Sequence, residues 1–175
     1  MALQFSEEAE AQFQTIVSRY PNTHAALLPS LLLAQAEFGW VSVEVMDYLA
    51  ARLDLNPAQV LATATFYTMY NKLPIGKAHL QVCTTFTCAV CGGFKLIDRI
   101  EERLNIRAGE TTADGNYTLS EVECLASCGG APMLMVTYSD GEIEYFENLD
   151  GEKFDAMFAK LDVRVAQLPQ PAKMH

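Results

Sequence analysis

Four of the five cysteines fall into two close pairs, Cys83-x4-Cys88 and, thirty-five residues later, Cys124-x3-Cys128. Thiolates are soft donors. Two such pairs on separate turns can each clamp one iron of a binuclear cluster, with two inorganic sulfides completing both tetrahedra. A [2Fe-2S] site is therefore the leading reading, with Cys83, Cys88, Cys124 and Cys128 as its candidate ligands. Two other chemistries use the same residues. Paired cysteines also hold structural zinc, which would make the chain a zinc-stabilised interaction module, although zinc ribbons usually close each pair over two intervening residues. In an oxidising compartment the same pairs would form disulfides.

Cys91 complicates the pattern, because with Cys88 it spells Cys-x-x-Cys, the spacing of a dithiol oxidoreductase. That chemistry leaves Cys83, Cys124 and Cys128 without a purpose, so Cys91 is read as a buried or semi-buried bystander near the cluster. Gly92-Gly93 and Gly129-Gly130 adjoin cysteines, where a missing side chain lets backbone amides approach a sulfide. No Gly-x-Gly-x-x-Gly fingerprint for a dinucleotide occurs. His24, His79 and His175 lack metal-ligand spacing and read as surface or packing residues, and Trp40 reads as a core or interface aromatic. No residue is assigned a catalytic role.

These side chains need elements to position them, and the organisation changes near residue 75. Ahead of it, Ala9, Phe13, Ile16, Val17 and Tyr20 recur at helical spacing, with Ser6 as a cap and Pro21 as the stop. A second helix is expected over residues 27–38 with Pro29 in its first turn. A third follows Ser42, and a fourth opens at Asn56-Pro57. Beyond the connector 73–77, strands are expected at 78–83 and 117–123, and an amphipathic helix at 92–104. Asp140-Gly141 marks a hairpin between 133–138 and 143–147, and a last helix places Phe154, Met157, Phe158 and Leu161 in one stripe. The expected organisation is thus a helical bundle over residues 1–72, a thioredoxin-like α/β domain over 78–162 and a flexible tail over 163–175. Both cysteine pairs then sit just after strand ends, where open α/β sheets collect ligands.

The run Phe66 to Tyr70 packs four bulky side chains into five positions, too many for one small core, so part of it is expected to face a partner. The formal charge of −10 across 175 residues, half of them hydrophobic, opposes binding to nucleic acid and suits a protein partner. The N-terminal MALQFSEEAEAQF lacks the basic region of a signal peptide, so a reducing compartment is expected. The most apolar stretch, residues 25–36, is broken by Pro29 and is about half the length that crosses a bilayer.

The segments "FGW", "ATFYTMY", "CTTFTC", "ECLASCGGAPM" and "YFENL" resemble the thioredoxin-like [2Fe-2S] subunit of respiratory NADH:quinone oxidoreductase, complex I, the NuoE family. The resemblance spans roughly residues 10–162. It implies an N-terminal helical bundle followed by a thioredoxin-like [2Fe-2S] ferredoxin domain, an α/β fold, with Cys83, Cys88, Cys124 and Cys128 as ligands of one [2Fe-2S] cluster. It further implies electron transfer beside a flavoprotein subunit that binds FMN and NADH and performs the hydride chemistry, within a larger assembly. The expected location is cytoplasmic, or peripheral on the cytoplasmic side of the inner membrane. The equivalent diaphorase subunit of an NAD-linked hydrogenase or formate dehydrogenase shares these motifs. Cys91 departs from the family pattern.

Overall fold

The structure, a computed structural model, describes residues 3–169 and divides after Pro74 into two compact units. The first is four helices: α1 (Glu7–Arg19), α2 (Leu27–Phe38), α3 (Val43–Leu53) and α4 (Pro57–Phe66). Their ends follow local chemistry. The hydroxyls of Ser6 and Ser42 accept from the amides of Ala9 and Val45, each at 3.2 Å, and the Asn56 side chain accepts from Ala58 at 2.9 Å ahead of Pro57. Pro29 is the third residue of α2, where its missing amide hydrogen removes no helical bond, and Gly39, at φ 84°, ends that helix. Phe13, Leu27, Leu31, Leu49, Leu53 and Tyr70 form the buried centre.

The second unit carries a four-stranded sheet of β1 (Ala78–Cys83), β2 (Tyr117–Val122), β3 (Leu134–Tyr138) and β4 (Ile143–Phe146), in the order β2-β1-β3-β4. Only β1 and β2 run parallel; β3 is antiparallel to both of its neighbours. Helices α5 (Phe86–Val90) and α6 (Gly93–Leu104) make the crossover between the parallel strands, and α7 (Gly151–Gln167) follows the β3–β4 hairpin. Strand periodicity divides the side chains. Ala78, Leu80, Val82, Tyr117, Leu119, Leu134, Val136 and Tyr138 share one buried cluster with the apolar stripes of α6 and α7. Several alternate positions are polar and bond across strands: His79 Nε2 lies 2.8 Å from Ser120 Oγ, and Thr137 Oγ1 donates to Gln81 Oε1 at 3.2 Å.

The C-terminal boundary expected from the sequence needs one correction. Residues 163–167 continue α7 instead of opening a tail, because Val165 is buried in the sheet core and Arg164 pairs with Asp140 and Glu142 while stacking on Tyr138. The remainder of that expected tail, from residue 170, lies outside the described residues. Among the described residues no helix is long and apolar enough to cross a membrane.

Candidate metal centre

Parallel pairing places the two cysteine loops together. Cys83, the last residue of β1, stands opposite Val122, the last residue of β2, so both strands deliver their following loops to one edge of the sheet. The ladder continues one residue further through Thr84 N–H to Val122 O at 3.1 Å. Cys88 is carried by α5, Cys124 lies two residues beyond β2, and Cys128 opens a single 3-10 turn that ends at Gly130.

The pairs differ in depth. Cys83 and Cys88 are 3% and 2% exposed and pack with Met133, Leu125 and Ala131, whereas Cys124 and Cys128 face solvent. Backbone amides are aimed at the sulfurs. Those of Thr85 and Leu125 are directed at Cys83, that of Met133 is directed at Cys88, and Ala126 N–H donates to Cys124 Sγ at 3.4 Å. Burial drives the Cys88 thiol above its ordinary range, and its hydrogen bond to Cys83 adds to the rise. Burial alone would also lift Cys83, but the amides of Thr85 and Leu125 and the Cys88 thiol outweigh it and hold that thiol low. Cys128 is near enough for its charge to raise Cys88 further. The donors around Cys83 favour its thiolate, and sulfur donors suit a soft cation. Among the described residues, no three or more His, Cys, Asp or Glu side chains converge as ligands of a single ion do. A binuclear cluster instead takes two protein sulfurs per iron.

The glycines act differently from the expectation. A Cβ on Gly93 would stand 2.8 Å from Cys83 O and 3.0 Å from Cys88 O, so this residue lets α6 close on the backbone of the two inner cysteines. Gly130 is packed against the Glu147 side chain, whose carboxylate accepts from the Ser127 hydroxyl. Gly92, at φ 104°, turns the chain from α5 into α6. Cys91 is exposed, not buried or semi-buried, because it caps the outer end of α5. Of the histidines, His79 is buried, His24 is exposed and His175 lies outside the described residues. In the aromatic run Tyr70 is core, its hydroxyl donating to Leu28 O at 2.9 Å, while Phe66 is 77%, Met69 55% and Tyr67 40% exposed.

Little in the side-chain pattern marks α5, and nothing in it marks the amides of Leu125, Ala126 and Met133. A five-residue helix shows too little periodicity to detect, and an amide donor has no side-chain signature. The only signal for α5 is Thr84-Thr85 ahead of Phe86, a weak cap.

Residues 13–162 match the model of the thioredoxin-like [2Fe-2S] ferredoxin family. The chain is 40% identical over 146 residues to the second E-type subunit of the NADH-quinone oxidoreductase of Rhizobium meliloti (strain 1021), covering 83% of this chain and 84% of that relative. It is 39% identical over 147 residues to the E-type subunit of the NADH-quinone oxidoreductase of Rickettsia prowazekii (strain Madrid E), covering 82% and 80%. Among solved structures, an NAD+-reducing [NiFe]-hydrogenase in its air-oxidized state superposes with a TM-score of 0.64 at 22% identity, over 82% of this chain and 23% of the hydrogenase chain.

Proposed function

Because the chain belongs to the thioredoxin-like [2Fe-2S] ferredoxin family, and to its branch of E-type subunits of NADH-quinone oxidoreductase, we propose that it is the electron-transfer subunit that carries one [2Fe-2S] cluster in that oxidoreductase. Meeting of the two cysteine loops at the shared end of β1 and β2 is the observation that carries the reading. We assign Cys83 with Cys88 to the inner iron and Cys124 with Cys128 to the outer one. Bound there, the group supplies one-electron chemistry and nothing more. The chain's own contribution is to orient four thiols, to direct amides at them, and to bury the inner pair. No hydride-transfer residue is assigned to this chain. That chemistry we place on a flavoprotein partner binding FMN and NADH, with the exposed Phe66, Tyr67 and Met69 as part of the docking surface.

The assembly reading rests on the relatives, which are subunits of a larger oxidoreductase. A cytoplasmic position, peripheral to the inner membrane, follows from the same assignment. An NAD-linked hydrogenase is the alternative host. Identity of 40% over 84% of the oxidoreductase relative, against 22% with the hydrogenase, favours the former.

Anaerobic purification should yield a brown protein with two irons and two acid-labile sulfides per chain and a paramagnetic signal on reduction. Cys124→Ala should lose most of that iron. A colourless chain with stoichiometric zinc overturns the proposal, and the co-purifying subunits identify the host complex.

A further inference from the structure

The turn between β1 and α5 holds a polar group that the fold leaves unused. Thr85 Oγ1 is shut off from solvent and has no hydrogen-bond partner, one of two such side-chain atoms among the described residues. Thr85 occupies the N-cap of α5, at φ −68° and ψ 160°, the position where a threonine hydroxyl ordinarily accepts from an amide of the first helical turn. Here it makes no such bond. Its neighbour behaves differently, since Thr84 Oγ1 donates to Glu121 Oε1 at 2.8 Å. A buried hydroxyl without a partner is rare in native folds and calls for one that arrives with a ligand.

One acceptor lies beside it. The backbone N–H of Thr85 is directed at the Cys83 sulfur, and the hydroxyl of the same residue faces that sulfur without reaching full hydrogen-bond geometry. A thiolate offers several lone pairs, and a charged acceptor strengthens whatever donor reaches it. Resting on the cluster assignment above, we propose that the Thr85 hydroxyl donates a hydrogen bond to the Cys83 sulfur once that sulfur ligates iron, and so sets the reduction potential of the centre. Reduction adds one electron and no proton, so the sulfurs become better acceptors in the reduced state. A donor fixed beside one of them stabilises that state over the oxidised one. Thr85 is thus a positioning residue for charge and contributes no ligand.

Thr85→Val keeps the shape and branching of the side chain and deletes only the donor, whereas Thr85→Ser keeps the donor. Both are purified as the full chain, and iron and sulfide are measured first, because wild-type chain without them defeats the cluster assignment and not this inference. Redox titration followed by the paramagnetic signal of the reduced state is the readout. At a fixed ambient potential the reduced-to-oxidised ratio of Thr85→Val should fall about tenfold, a shift of about 59 mV to lower potential for a one-electron couple. Thr85→Ser should stay close to wild type. Retention of the cluster in Thr85→Ser with its loss in Thr85→Val also supports the hydroxyl as a required donor. A loaded Thr85→Val with the wild-type potential overturns the inference, as does loss of the cluster in both variants.

Discussion

Gly93→Ala tests how the inner cysteines are held. Gly93 is the first residue of α6, and an added Cβ there would stand 2.8 Å from Cys83 O, 3.0 Å from Cys88 O and 3.1 Å from Cys88 C. All three neighbours are backbone, so relief requires moving α6 away from the residues that carry both inner thiols, by about 0.6 Å to bring the nearest of them to ordinary van der Waals contact. Overpacking of this kind costs about 1–3 kcal/mol, and the better helix propensity of alanine returns ~1 kcal/mol at most. The net loss of about 1–2 kcal/mol should lower the melting temperature of a unit this size by roughly 5–15 °C in calorimetry. Cluster content should fall with it, because the displaced carbonyls belong to Cys83 and Cys88. Gly92→Ala is the matched control. No atom lies within 4 Å of its Cβ position, but φ of 104° disfavours any L side chain by about 1–2 kcal/mol, so it should lose stability while keeping its iron. A Gly93→Ala protein that melts at or above the wild-type temperature with full iron content refutes the close-approach argument.

Cys91→Ser should leave iron content and the reduced-state paramagnetic spectrum essentially unchanged, since Cys91 is exposed at the outer end of α5; cluster loss in this variant combined with retention in Cys88→Ser would reverse the ligand assignment. Burial takes the His79 imidazole down to about 4, below its ordinary value of 6.5, so the fold favours the neutral ring. Its contribution is present above pH 6.5 and is lost as pH falls through 4, a span of about 3 kcal/mol. Urea unfolding of the apo-chain at pH 6.5 and pH 4.5 should show most of that loss, and His79→Gln should flatten the dependence; parallel curves count against the burial argument. Phe66→Ala should weaken co-purification with the flavoprotein by about 2 kcal/mol or more if it anchors the interface, while leaving the chain folded. Tyr70→Ala should instead destabilise the helical unit by about 3–5 kcal/mol in thermal or urea unfolding, and equal stability of the two variants contradicts this division.

What the sequence made legible was whatever side chains encode by type and period. Ser6, Ser42 and Asn56 marked helix starts that their hydroxyl and amide oxygens do cap, and Asp140-Gly141 marked the turn between β3 and β4. The stripe of Phe154, Met157, Phe158 and Leu161 lies in the sheet core as its spacing implies. The same rule explains the shortfall at residue 163. Val163 is exposed and interrupts the apolar stripe, so the period fades there, but Val165 still reaches the core and Arg164 is held by three partners from the hairpin. Tertiary contacts carried the helix on where local pattern had stopped.

The candidate site divides along the same line. Its position was readable because two cysteine pairs follow two strands, and parallel pairing of β1 with β2 brings their ends to one edge of the sheet. Its electrostatics were not readable, because they depend on backbone amides. Ala126 illustrates why. It adopts φ 61°, a left-handed conformation that alanine enters at a cost of about 1–2 kcal/mol, and its sequence neighbours, Leu125 and Ser127, give no warning of it. The local result is an amide from Ala126 directed at Cys124 and one from Leu125 directed at Cys83, so a single loop serves both cysteine pairs. Spacing named the sulfurs, while the turn that Ala126 makes determines which donors surround them.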